Sequence, residues 1–120
     1  LTVLTGVRPG AELIAAEAAI RADVPYVAVL PFPDQERNLS PDSKARYSDL
    51  VGRAAGVVQL EKRSPADKDA FVKAMRRRDV WMANAADQAV LVWDEVDNRF
   101  DSLFSDLDGR LGADLTVLHP

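Results

Sequence analysis

Five short apolar runs punctuate the chain, each followed by a polar or Gly/Pro-marked turn: Leu1 to Thr5, Pro25 to Leu30, Gly56 to Leu60, Ala89 to Trp93 and Leu115 to Leu118. Most are unbroken stretches of Val, Leu and Ala rather than apolar–polar alternations. A strand covered on both faces reads this way, and such strands belong to parallel sheets. Between the runs the apolar spacing becomes helical. Ala11 to Ala22 is Ala-rich, with Leu13, Glu17 and Ile20 as helical neighbours, and Ser43 to Ala54 sets Ala45, Leu50 and Val51 among charges. Ala66 to Ala83 aligns Phe71, Met75 and Met82 on one stripe; ahead of it Ser64 is the expected N-cap, Pro65 the first helical residue and Asp67 a first-turn acid. Arg99 to Leu111 reads as a weaker, acidic helix ending at Gly109 or Gly112.

Strand alternating with helix predicts one α/β domain over residues 1–120: a three-layer, Rossmann-like, doubly wound and mostly parallel sheet of about five strands. "LTVLTG" already reads as a strand entering a turn, so a leading strand is expected before Leu1.

Composition narrows the chemistry. A chain of 120 residues with 48% hydrophobic and 28% charged positions is ordinary for a single globular domain. No apolar run approaches the ~18 residues of a membrane helix. Fifteen Lys and Arg against nineteen Asp and Glu leave a net charge of −4, which argues against holding nucleic acid through the overall field and leaves room for a local basic patch. Cysteine is absent, which excludes disulfides, zinc–thiolate sites, Fe–S clusters and thiol nucleophiles. With His119 the sole histidine, a His-rich metal centre or a Ser-His-Asp triad is not expected, and no metal is predicted. No basic-then-apolar leader stands at the start, so the expected location is the cytoplasm.

In open parallel sheets, ligands bind beyond the C-terminal strand ends, where helix N-termini also point. That rule selects Gly6-Val7-Arg8-Pro9-Gly10 first. Two glycines bracketing Arg8 and opening a helix can bring backbone N–H groups and a guanidinium to a phosphate. They serve equally as turn formers, and Glu12 equally as a complement to the helix dipole. The pattern is neither a Walker loop nor GxGxxG. In the second loop, Phe32 between Pro31 and Pro33 reads either as a stacking wall for a base or as a buried loop anchor. Gln35 and Glu36 suit ribose hydroxyls or solvent. Arg78 falls on the apolar stripe of its helix, where a cation must snorkel out or meet a carboxylate or phosphate. Asp94 ends the fourth apolar run, as a ligand-side carboxylate or a turn former.

"LTGVRPGAELIAAEAAI", "PYVAVLPFPDQERNLSPDSKARYSDLVGRAAGVVQL" and "RRDVWMANAADQAVLVWDE" together resemble successive blocks of the YpsA-like family, within the Smf/DprA–LOG (SLOG) superfamily of Rossmann-like proteins. The resemblance runs from Leu1 to about Glu95. Its most specific pieces are P-F-x-x-Q-E at Pro31 to Glu36, followed by a helix bearing Tyr47, and G-x-x-x-G-x-E-x-x-A-A-E at Gly6 to Glu17. It implies a nucleotide or nucleotide-derived ligand, such as an ADP-ribose-like molecule. Gly6, Gly10 and Glu12 would sit at its phosphate or sugar end and Pro31, Phe32, Gln35 and Glu36 on a second wall, with Arg78 and Asp94 completing the pocket. Three departures stand against it: the family's leading strand, with its Gly-containing loop, is expected ahead of Leu1, no glycine lies between Asp94 and Phe104, where the superfamily's Gly-Gly-Thr turn belongs, and the P-G-G-x-G-T-x-x-E signature of the phosphoribohydrolases is absent.

The leading expectation is a nucleotide-binding module without demonstrated catalysis. The alternatives are an N-glycosidic or phosphoribosyl hydrolase with Glu12 or Glu36 as catalytic acid/base, and a single-stranded DNA binder using Lys73 to Arg78. Expected partners are a small nucleotide ligand and a second copy in a homodimer, with Trp81 and residues 97–110 as contact surfaces, and neither nucleic acid nor membrane.

Overall fold

The computed structural model describes all residues, Leu1–Pro120. It is an α/β structure with five strands and four helices: β1 Val3–Thr5, α1 Ala11–Arg21, β2 Tyr26–Leu30, α2 Pro41–Arg53, β3 Gly56–Gln59, α3 Lys68–Ala85, β4 Ala89–Val92, α4 Asp101–Leu111 and β5 Leu115–Leu118. No helix is long and apolar enough to cross a membrane. The chain forms two compact units, Leu1–Arg78 and Asp79–Pro120.

In the first unit β2 is the central strand of a three-stranded parallel sheet ordered β1-β2-β3, with Val3 opposite Tyr26 and Val27 opposite Gly56. Tyr26, Ala28, Val29 and Leu30 are all buried, which is why this run shows no polar alternation. The core joins Tyr26, Ala28 and Leu30 to Val7, to Leu13, Ala16 and Ala19 of α1, and to Tyr47 and Leu50 of α2. The three α1 positions recur every three residues and so lie on one helix face.

Helix α2 begins two residues earlier than its apolar spacing suggests. Ser40 is its N-cap, accepting from Ser43 N at 3.3 Å, and Pro41 fills the first turn. At its other end, the buried Tyr26 hydroxyl donates to the Leu50 carbonyl, one of the last four of the helix and without an intrahelical donor. The start of α3 also differs from expectation. Asp67, not Ser64, caps it, its Oδ1 accepting from Ala70 N at 2.8 Å. Ser64 donates instead to Pro33 O at 2.8 Å, so the Ser-Pro pair ties two loops together.

In the second unit β4 and β5 form a two-stranded parallel sheet with Ala89 opposite Leu115 and Val92 opposite Leu118. Helix α4 packs on both strands. The Trp93 and Phe104 rings lie 5.4 Å apart, and Trp93 Nε1 donates to Asp97 O at 2.8 Å. Arg110 caps the end of α3, donating to Asn84 O and Ala86 O at 2.8 and 2.6 Å. The parallel strands thus fall into ladders of three and two rather than one ladder of five. Strand β1 has only three residues, and each is registered on β2.

Burial pushes the Tyr26 hydroxyl to a higher pKa, with Arg53 opposing and Asp49 adding to the shift. For a phenol the raised value means that the folded state holds the proton more tightly than the unfolded chain. The stability this contributes is complete below about pH 10 and is lost as pH climbs through the folded value. Tyr26→Phe should cost about 1–2 kcal/mol near neutrality, because the Leu50 carbonyl stays buried without its donor. It should also flatten the alkaline fall in urea midpoint above about pH 10.

Candidate functional site

The C-terminal ends of β1 and β2 lead into the two loops that the sequence singles out, and in the first unit these loops meet. Gln35 Nε2 donates to Gly6 O at 3.2 Å and to Tyr47 Oη at 2.8 Å. Thr5 Oγ1, at the end of β1, donates to Glu12 O at 2.6 Å and accepts from Val7 N at 3.3 Å. The β1–α1 turn is therefore held from below by its own strand and from the side by the second loop.

Two features of that turn are unusual. Val7 is fully buried at φ 52°, a left-handed conformation costly for a β-branched residue. Gly10, at φ 106°, is the N-cap of α1 and gives it no side-chain cap. Leu13 N reaches Arg8 O and Ile14 N reaches Gly10 O, while the N–H groups at the very start of the helix have no side-chain partner.

Gly6 is glycine because of what lies over it. A Cβ there would fall 2.2 Å from Glu12 Oε1 and 2.5 Å from Arg78 Nη1. Those two groups form an ion pair at 2.8 Å, with the Arg78 side chain 9% and the Glu12 side chain 32% exposed. Arg78 on the apolar stripe thus meets a carboxylate, one of the two outcomes its position allows. Arg8, half-buried, makes its hydrogen bond to a soft acceptor, Met75 Sδ, at 3.7 Å.

The second loop is more closed than its prolines suggest. Pro31 is fully buried and Phe32 is 5% exposed, its ring edge-on to Phe71 at 5.8 Å. Phe32 is an anchor between loop and α3, not an exposed stacking wall. Glu36 is half-buried, and its charge helps to raise the Tyr47 pKa. Burial is the larger cause of that rise, and the Gln35 hydrogen bond opposes it. Gln35 Oε1 is buried and has no hydrogen-bond partner.

Asp94 lies in the second unit and is exposed. Its Oδ1 accepts from Val96 N and Asp97 N at 2.9 and 3.0 Å, and these bonds, Asp97 N first, hold its pKa low. That is the turn-forming role. His119 Nε2 lies 2.6 Å from Glu95 Oε2, also in the second unit. No three His, Asp or Glu side chains converge in a way that could hold a metal ion.

Compared with known proteins, the chain matches no family model and no curated protein. The geometry gathers Gly6, Arg8, Gly10, Glu12, Gln35, Glu36 and Arg78 around the loops of the first unit, with Pro31 and Phe32 beneath as packing. Thr5 and Met75 join the site from the structure alone, whereas Val7 appears in the sequence only as a member of the first loop and Tyr47 only through the family resemblance. Nothing in the sequence marks a valine for a left-handed turn.

The Gly6 arrangement is testable by a double-mutant cycle. Both atoms that a Cβ would strike end long side chains, so Gly6→Ala can be accommodated by loosening the ion pair. Gly6→Ala should cost about 1–3 kcal/mol in the parent chain, because Arg78 is buried and its charge would lose part of its pairing. In a Glu12→Ala/Arg78→Ala background the same change should cost under about 1 kcal/mol by urea denaturation.

Proposed function

We propose that the chain is a nucleotide-binding module of the YpsA-like SLOG kind, taking the phosphate of a nucleotide or ADP-ribose-like ligand on the β1–α1 turn. The observation that carries this reading is the uncapped start of α1 beside a half-buried Arg8 whose hydrogen bond goes only to a thioether. An uncapped helix N-terminus presents N–H groups and the positive end of the dipole, and a guanidinium adds charge-assisted, bidentate hydrogen bonds to phosphate.

Three further features support it. The strained Val7 and the Gln35–Gly6 bond fix the turn before any ligand arrives, which lowers the ordering cost of binding. Gln35 Oε1 retains unused accepting capacity next to the turn. Glu36 and the part-exposed Glu12 are carboxylates of the kind that accept from ribose hydroxyls. Asp94 enters this reading through the family resemblance alone, since its carboxylate is engaged in its own turn. The doubly wound Rossmann-like architecture and the cytoplasmic location belong to the same reading. Of the two carboxylates a hydrolase would use, Glu12 is paired with Arg78, which weighs toward binding.

Isothermal titration with a panel of nucleoside mono- and diphosphates and ADP-ribose tests the proposal. At least one is expected to bind, and Arg8→Ala should weaken it on the order of 10- to 100-fold, the worth of a charged hydrogen bond. Absence of heat across the panel, or affinity indifferent to Arg8→Ala, rejects it.

A further inference from the structure

Charge is distributed very unevenly along the chain. Residues 61–78 carry seven Lys and Arg against three Asp and Glu, a net +4, whereas residues 79–120 carry nine Asp and Glu against two Arg, a net −7 with His119 neutral. The basic segment presents a definite face. Lys68, Val72 and Arg76 recur every four residues on α3, all exposed, with Val72 55% exposed at the centre. Opposite this face along the helix are the buried Ala74 and Arg78, so the stripe is the solvent side of α3.

The acidic unit presents a matching one. Asp101 and Asp108 lie seven residues apart on α4 with Ser105 between them, all exposed and on one side of the helix. The loop ahead of α4 leaves Val96 84% exposed. The basic stripe has an exposed valine at its centre and the acidic one follows a loop with another, so opposite charge is the main complementarity between them, as in a weak, electrostatically steered contact.

We infer that the Lys68–Val72–Arg76 face of one chain docks on the acidic α4 face of a second copy. Charge complementarity selects this occupant, and the chain supplies both faces at equal concentration. A polyanionic nucleic acid fits less well. The stripe carries no aromatic on which bases could stack. The contact is independent of the nucleotide site and needs none of its residues.

Sedimentation velocity on the full chain decides the matter. At about 20 mM salt a species heavier than the monomer is expected, and at about 500 mM, where screening acts within a few ångströms, only monomer. K68E/R76E and D101K/D108K should each remain monomeric at low salt, and an equimolar mixture of the two should re-form the heavier species. The neutral pairs K68Q/R76Q and D101N/D108N, milder at these exposed positions, should weaken association without reversing its salt dependence. A monomer at low salt overturns the inference, as does association that persists at high salt or a charge-swapped mixture that stays monomeric. A heavy species that disappears on nuclease treatment assigns the basic face to nucleic acid instead and overturns it too.

Discussion

A single crowded point, the α-carbon of Gly6, organises the first unit. Above it the Glu12–Arg78 ion pair joins the first turn of α1 to α3, and beside it the Gln35 amide joins the second loop to the Gly6 carbonyl. Burying a guanidinium among apolar side chains is costly unless a carboxylate meets it at close range. Glu12 can do so only because residue 6 has no side chain. One absent methyl group therefore permits the pairing that lets a long apolar stripe on α3 contain an arginine at all.

The turn that follows is held in a conformation its own sequence disfavours. Val7 sits at φ 52° because its neighbours leave it no alternative: its N–H is on Thr5 Oγ1, its side chain is wholly buried, and the preceding carbonyl is on Gln35. Strain of this kind costs on the order of 1–3 kcal/mol and persists only where the surroundings over-determine it. Here the surroundings are the core itself, since Val7 packs with Leu13, Ala16 and Tyr47. Stability and the shape of the candidate site thus depend on the same few contacts.

This explains what the sequence could and could not convey. Strand and helix positions were legible because they depend on periodicity: the unbroken run from Pro25 to Leu30 does become the doubly covered β2, and Leu115 to Leu118 is β5. Pairing was less legible, because whether five parallel strands share one ladder depends on edges that periodicity does not describe. The N-cap of α3 was misplaced for a related reason. Ser64 and Asp67 both suit a cap, and the nearby Pro33 carbonyl, thirty-one residues away in sequence, takes the serine. Phe32 reads either way between its prolines, because what covers it, Phe71, comes from another element. Residues whose roles are local could be read from their neighbours; those defined by a distant partner could not.

The electrostatics of the turn bear on which group a ligand would use. Arg78 is the more buried cation, but Glu12 already neutralises it, and a phosphate recruited there would have to displace a carboxylate held at 2.8 Å. Arg8 faces no such competitor, since a thioether is a weak acceptor and gives up its donor at little cost. With Arg78 and Glu12 paired, the charges left around the turn are the Arg8 guanidinium, roughly half a charge from the start of α1 and the Glu36 carboxylate on the second loop. That suits a single phosphate group better than a long polyanion. Under the proposed reading Arg8 is the cation that would answer a phosphate, while Arg78 stays paired with Glu12.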